Sequence, residues 1–131
     1  MSPLEIINTP TSELLERASA LKTYGMRFAQ CHAQHAADNR FDLTYSFVED
    51  ATGRIVSLRL NIDPQESVPS VSEIFPCAFV FENEMHDLYG VHVTGISIDF
   101  QGGFYHVHYP QPMAQAPAQP AAKAKSAASE N

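Results

Sequence analysis

The chain has 131 residues, enough for one domain with a single hydrophobic core. Hydrophobic residues make up 44% of it, an ordinary share for a globular protein, and the formal net charge is −7. An acidic chain is not expected to bind a nucleic-acid backbone or an anionic membrane surface directly, so basic protein partners are favoured.

The sequence shows no sign of membrane insertion or export. No run approaches about 18 apolar residues, and the N-terminal MSPLEIINTP lacks the basic and apolar regions of a signal peptide. We therefore expect a soluble protein without direct membrane insertion. Its two cysteines, Cys31 and Cys77, each lie in an apolar pattern and are interpreted as reduced core thiols in a reducing compartment, with a disulfide as the alternative.

The first half of the chain predicts one helix followed by a three-stranded meander. Pro10 and Thr11 give a helix start, and apolar residues at helical spacing predict a helix over 11–23 that Gly25 ends. Alternating apolar and polar residues then predict strands over 26–34, 40–49 and 54–62. Because short loops join these strands, the expected arrangement is antiparallel.

The next element, predicted over 76–89, is the helix around which the chain is organised. Pro76 suits a first helical turn and Gly90 the left-handed residue that closes a helix. At about 100° per residue, one arc of this helix should face the core: Ala78, Phe81, Met85, Leu88 and Tyr89. Asp87 points the opposite way, and the remaining residues of interest flank the arc or lie outside it: Phe79, Val80, Glu82 and Glu84.

This helix lies in a long acidic segment. No Lys or Arg occurs from Leu60 to Ala122, whereas seven acids do: Asp63, Glu66, Glu73, Glu82, Glu84, Asp87 and Asp99. Asp87 also lies near the negative end of the helix dipole, where an acid is disfavoured. We hypothesise that the helix presents an acidic, partly apolar face to a basic partner protein, and that the isolated chain is poorly soluble or unstable.

The end of the chain predicts a late hairpin and a tail. Alternating runs at 96–100 and 104–109 flank Gln101-Gly102-Gly103 and predict the hairpin, whereas 110–131 is rich in Ala, Pro, Gln and Lys and shows no apolar face. The predicted domains are therefore 1–109 and a disordered or partner-pinned tail over 110–131. The fold class is α+β, with a mostly antiparallel sheet of meander and hairpin packed against two helices.

The histidines and acids do not form a convincing catalytic or metal site. Cys31 and His32 point to opposite faces of a strand, so they cannot share a metal there. His106 and His108 share a face and could bind a metal with Asp99, which is the enzymatic or metal-binding alternative. Glu82 and His86, four residues apart, could be a metal-ligand pair or an ordinary helix-surface hydrogen bond, and the hydrogen bond is the favoured interpretation. Motifs for nucleotide binding, nucleophilic catalysis and iron–sulfur ligation are absent.

Four short motifs resemble a known family over roughly residues 26–91. They are Pro69-Ser70-Val71-Ser72, Ile74-Phe75-Pro76-Cys77-Ala78, Glu82-Asn83-Glu84 and Asp87-Leu88-Tyr89-Gly90-Val91. In order, spacing and residue type they resemble the signature of the 30-kDa subunit of respiratory complex I. Asn83 stands where that family usually has Arg, and Gly95 to Asp99 stands where its members carry His-Pro and paired basic residues.

These departures, and the short chain, make the sequence more similar to the truncated counterpart in energy-converting, membrane-bound [NiFe] hydrogenases. The equivalent subunit of an NADH:quinone oxidoreductase is the alternative. The resemblance implies a non-catalytic subunit without cofactor or metal, bound to a large subunit and iron–sulfur subunits that hold the nickel–iron centre and the clusters. It also implies a peripheral place on the cytoplasmic side of the cell membrane, with ferredoxin as indirect electron donor and ion translocation in the membrane part.

The resemblance also assigns roles to residues of the central helix. Glu82, Glu84 and Asp87 would be interface acids, and Phe79 and Val80 apolar interface contacts. Tyr89 and Gly90 would shape the end of the helix. A soluble adaptor unrelated to redox complexes is the remaining alternative.

Overall fold

The computed structural model describes residues 4–96. Within that range six strands and two α-helices follow one another as β1 (Leu4–Asn8), α1 (Leu14–Tyr24), β2 (Arg27–Ala36), β3 (Arg40–Glu49), β4 (Arg54–Ile62), β5 (Ser67–Pro69), α2 (Ala78–Tyr89) and β6 (His92–Thr94). Short 3-10 helices at Thr11–Glu13 and Ala37–Asn39 connect some of them. The α+β class predicted from the sequence is confirmed.

The main sheet has four strands in the order β1-β4-β3-β2. The antiparallel meander of β2, β3 and β4 matches the three predicted strands, with Tyr45 of β3 opposite Cys31 of β2 and Leu58 of β4. The sheet is nevertheless mixed, because β1 pairs in parallel with β4, for example Ile7 with Leu58. The predicted antiparallel meander is therefore confirmed, and an N-terminal edge strand that the sequence did not reveal is added to it in parallel.

One face of this sheet carries the hydrophobic core, and both helices contribute to it. Leu14 and Ala18 of α1 and Ala78 and Met85 of α2 are all at most 2% exposed. They belong to one cluster with the alternate residues of the sheet, which include Leu43, Tyr45, Phe47, Val56, Leu58, Leu60 and Ile62. An aromatic group formed by Phe28, Phe47 and Phe75 closes the core near α1, with ring centroids 5.3 to 5.9 Å apart.

The helices begin and end close to the predicted positions. The predicted helix over 11–23 appears as the 3-10 turn Thr11–Glu13 followed by α1. The central helix begins at Ala78 rather than at 76, after a turn in which the Ala78 N–H donates to the Phe75 carbonyl. It ends at Gly90, whose φ of 80° suits glycine and whose N–H donates to the His86 carbonyl at 2.8 Å.

A second, two-stranded sheet flanks the central helix. β5 and β6 pair in parallel, with Val68 opposite Val93, and the sequence does not predict them because three-residue strands show no alternation. The predicted late hairpin and tail lie beyond the described residues, as do Asp99, His106 and His108. The division into 1–109 and 110–131 therefore stays a prediction.

Candidate functional site

A buried carboxylate ties the loop after β5 to the central helix. Glu82 of α2 is 0% exposed, and its two oxygens accept hydrogen bonds from the Ser70 hydroxyl at 2.6 Å and the Val71 N–H at 2.7 Å. The Ser70 hydroxyl in turn lies 2.6 Å from that of Ser72 and accepts from the Ser72 N–H at 3.0 Å. We call Ser70, Val71, Ser72 and Glu82 the serine–glutamate clamp.

The clamp is anchored on its other side as well. The Ser70 N–H donates to the Thr94 carbonyl of β6 at 2.8 Å. A charged group buried without partners would cost several kcal/mol, but here each Glu82 oxygen has a donor. The clamp therefore fixes the loop, α2 and β6 relative to one another.

Burial shapes the chemistry around the clamp. It raises the pKa of Glu82, against the lowering effect of the hydrogen bonds from Ser70 and Val71. Burial, reinforced by the charges of Glu82 and Glu84, also raises the pKa of the Cys31 thiol, and burial with Cys31 and Glu82 nearby raises the pKa of Tyr45. Cys31 and Tyr45 are thus held neutral, which gives no activated nucleophile.

The structure corrects the positions expected for two acids. Glu82 was expected at the edge of the core-facing arc and in a subunit interface, but it lies inside the chain as the centre of the clamp. Asp87 is expected to point away from the core, yet it is only 4% exposed, with its carboxylate 3.3 Å from the His86 ring. The physical reason is that α2 is covered on more than one side, since Asn83 is 1% exposed as well.

The other predicted interface residues lie nearer the surface. Val80 is 37% exposed, and Phe79, Glu84 and Tyr89 are half-buried. Glu84 and Tyr89 line a groove of about 340 Å³ between α2 and β2, together with His32, Ala33, Met85 and Leu88. The ring of Tyr89 packs edge-on against Phe41, with centroids 5.9 Å apart. The interface role of these residues stays a prediction.

Comparison with known proteins identifies the family. Residues 7–99 match the family model for the 30 kDa subunit of the respiratory-chain NADH dehydrogenase. The chain belongs to this family. The match extends beyond the 26–91 over which the sequence motifs resemble it, and includes α1 and the end of β1.

Relatives in the 30 kDa subunit family match the chain over less than half its length. The C subunit of the NADH-quinone oxidoreductase of Chelativorans sp. strain BNC1 is 34% identical over 59 residues, which are 45% of this chain and 30% of that protein. Its counterpart in Rhodopseudomonas palustris strain BisB18 is 39% identical over 57 residues, 44% of this chain and 29% of that protein. The chain thus spans less than a third of the length of these curated relatives.

A solved structure shares the fold of this family member. A chain of the membrane-bound sulfane sulfur reductase, an archaeal respiratory membrane complex, superposes with a TM-score of 0.76 at 17% identity. The superposition covers 96% of this chain and 78% of that one.

The clamp explains what two of the family motifs do in the structure. The Pro-Ser-Val-Ser motif supplies the donors and the Glu-Asn-Glu motif the acceptor, although twelve residues separate Ser70 from Glu82. The signal that could have revealed this pairing was present, because Glu82 lies only about 40° from Ala78 on a helical wheel. A carboxylate inside an apolar arc requires donors from its own chain.

The remaining metal and thiol predictions have mixed outcomes. Among residues 4–96 no three His, Cys, Asp or Glu side chains are grouped so as to hold a metal ion. The expected Glu82–His86 hydrogen bond is not formed, since Glu82 bonds within the clamp and His86 lies beside Asp87. Cys31 is buried as expected, but Cys77 is exposed rather than in the core. No helix between residues 4 and 96 is both long and apolar enough to cross a membrane.

Proposed function

We propose that this chain is a structural subunit, with no cofactor of its own, of the cytoplasmic-facing arm of a membrane-associated respiratory oxidoreductase complex. Our first candidate is an energy-converting [NiFe] hydrogenase, in which electrons pass from ferredoxin to protons. The second is an NADH:quinone oxidoreductase. The observation that carries the proposal is the match of residues 7–99 to the 30 kDa subunit family.

One departure from the family pattern supports the first candidate over the NADH-linked complex. Asn83 replaces the usual Arg at a position that is 1% exposed, where its amide donates to the Phe79 carbonyl at 2.8 Å. A guanidinium at that position would need a nearby carboxylate partner that the amide does not.

In this proposal the partner subunits bind the nickel–iron centre and the iron–sulfur clusters, and this chain binds the partner subunits and supports their assembly. Its exposed apolar residue Val80 and the groove beside Glu84 offer a surface on α2 for a large partner to cover. The segment from Leu60 to Ala122, which contains α2, has seven acids and no Lys or Arg. Cationic side chains from a partner would complement the charge of this segment.

Purification from the native membrane tests the proposal and separates its two candidates. The full-length chain, tagged and expressed in its own host, is extracted with a mild detergent and analysed for co-purifying subunits, nickel and activity. Nickel and ferredoxin-dependent hydrogen evolution support the hydrogenase, whereas NADH:quinone activity without nickel supports the alternative. A chain that purifies alone from the soluble fraction contradicts both.

The surface on α2 has its own test. Replacing Glu84 with Lys should lower the amount of assembled complex about tenfold, because a basic partner would meet a like charge. Activity per assembled complex should not change. The matched control is Glu73→Lys, which makes the same charge change at an exposed position before α2. Equal losses in both variants would mean that overall charge, and not this surface, is responsible.

A further inference from the structure

The sheet has a second face, turned away from the core, that exposes apolar residues at one edge. On β1, Ile7 packs against the core, so Leu4 and Ile6 lie on the opposite side, and each is 48% exposed. In the described part of the chain both α-helices contribute to the core on the other face. We call the side that bears Leu4 and Ile6 the open face.

A polar row crosses this open face beside the apolar edge. The register pairs Asn8 with Arg59, Arg59 with Thr44, and Thr44 with His32, so one residue comes from each of the four strands. Their neighbours along the strands, Leu58, Leu60, Leu43 and Tyr45, point into the core. Asn8, Arg59, Thr44 and His32 form what we call the open-face row, which ends on the edge strand β2 at His32, a residue that also lines the groove beside α2.

Two groups of the row are buried and have no hydrogen-bond partner among residues 4–96. Thr44 is 4% exposed, and its hydroxyl oxygen contacts no donor or acceptor in that range. The Nε of Arg59 is likewise buried without a partner, although the side chain as a whole is half-buried. Such groups are rare in native structures, because a buried donor or acceptor left unsatisfied loses the hydrogen bonds that it makes with water in the unfolded chain.

Arg59 also differs from the other arginines of the described residues. Each of those has an acceptor in the chain: Arg17 bonds to Glu13, Arg27 to Asp50, Arg40 to Asn61 and Arg54 to Glu5. A guanidinium cannot lose its charge by deprotonation. Arg59 therefore keeps a positive charge and an unused donor at the centre of the row.

We propose that the open face is a docking surface for a protein segment that carries a carboxylate. The planar fork of a guanidinium matches a carboxylate in two-point geometry, and the half-buried Arg59 side chain lies at the centre of this face. Leu4 and Ile6 give an apolar flank that favours a protein segment over a small anion. The partner therefore presents an Asp or Glu beside apolar side chains.

This surface has the opposite charge preference from α2, so the chain would bridge two partners. The inference rests on the proposed function only in requiring an assembly into which the open face can dock. The two ideas remain separable, because Glu84→Lys disturbs the α2 surface and Arg59→Met the open face. Loss of assembly in the first variant alone refutes the inference and leaves the proposed function standing.

Site-specific photo-crosslinking in the native host identifies the occupant. The photoreactive amino acid p-benzoylphenylalanine is placed at Asn8, which is exposed at the end of the row, and at Thr23 of α1 as a control. We expect a crosslink at Asn8 to a peptide of another subunit that contains Asp or Glu, reduced about tenfold by Arg59→Met. The absence of a crosslink, a crosslink to a second copy of this chain, or a yield unaffected by Arg59→Met overturns the proposal.

A charge exchange and a melting experiment complete the test. Arg59→Glu should abolish assembly, and changing the crosslinked acid of the partner to Arg should restore it. In the purified full-length chain, Arg59→Met should keep or raise the melting temperature, because it removes an unsatisfied donor; Arg27→Met, at an exposed ion pair, is the control. A fall of more than about 5 °C would make Arg59 a structural residue and refute the docking role.

Discussion

The serine–glutamate clamp and the open-face row both contain buried polar groups, but they differ in how these groups are paired. In the clamp, Glu82 has a donor for each oxygen within 2.7 Å. In the row, the Thr44 hydroxyl and the Arg59 Nε have no partner among the residues that the structure describes. Burying a polar group without a hydrogen-bond partner destabilises the folded chain. The clamp makes its hydrogen bonds within the chain, whereas the two buried groups of the row would gain theirs from a bound partner.

The comparison shows that charge alone is a poor guide to an interface. Glu82 belongs to the acidic segment that the sequence marks as a partner surface, yet its charge is satisfied within the chain. Arg59 belongs to an ordinary alternating strand, yet its Nε is left without an acceptor. Buried polar groups without hydrogen-bond partners indicate an interface better than charge does.

Of the substitutions considered, removal of the Glu82 carboxylate should lower the stability of the chain most. Glu82→Ala leaves the Ser70 hydroxyl and the Val71 N–H buried without an acceptor, and we expect it to lower the free energy of unfolding by about 3 kcal/mol. Urea denaturation of the full-length chain measures this. Glu73→Ala, at an exposed position, should change the value by less than about 0.5 kcal/mol. Similar changes in the free energy of unfolding for Glu82→Ala and Glu73→Ala would show that the clamp stabilises the chain no more than an exposed acid does.

Two buried threonines provide a sharper comparison. Thr44→Val removes an unpaired hydroxyl and should raise the free energy of unfolding by about 1 kcal/mol. Thr9→Val should lower it by about the same amount, because the Thr9 hydroxyl is 3.0 Å from the Ile7 carbonyl and 3.1 Å from Arg17. The same denaturation experiment measures both. A destabilising Thr44→Val would mean that the row is satisfied within the chain.

The pH dependence of stability should show a smaller effect of Glu82. Its pKa is raised in the folded chain, so the stability from this group is complete below the pKa of the unfolded chain and declines as pH rises through the raised pKa. Relative to Glu82→Gln, which does not titrate, the wild type should lose stability as the pH rises from about 4 towards neutral. A constant or growing advantage of the wild type contradicts the raised pKa.

Much of the fold could be predicted because its signals are local. The strict alternation from Phe41 to Phe47 and from Val56 to Ile62 fixed two strands, and Gly25 and Gly90 fixed the ends of both helices. The parallel pairing of β1 and the short β5 and β6 could not be predicted. They depend on contacts between distant segments, and five or fewer residues give too little periodicity.

The candidate site was less predictable for the same reason. The sequence places Asp87 on the side away from the core because a helical wheel assumes one buried side, whereas burial on several sides depends on tertiary packing. The clamp joins two motifs whose contact the sequence does not show. The open-face row is invisible in sequence, since its residues come from four strands and become neighbours only through the register.

Sedimentation of the full-length chain in a detergent extract of its native membranes tests most directly whether it works as a docked subunit. Most of the chain should sediment with a large, redox-active assembly, and Arg59→Met should shift it to the top of the gradient while its melting temperature is maintained. Recovery of the wild-type chain as a stable 14.5 kDa monomer would contradict both the subunit role and the second docking surface.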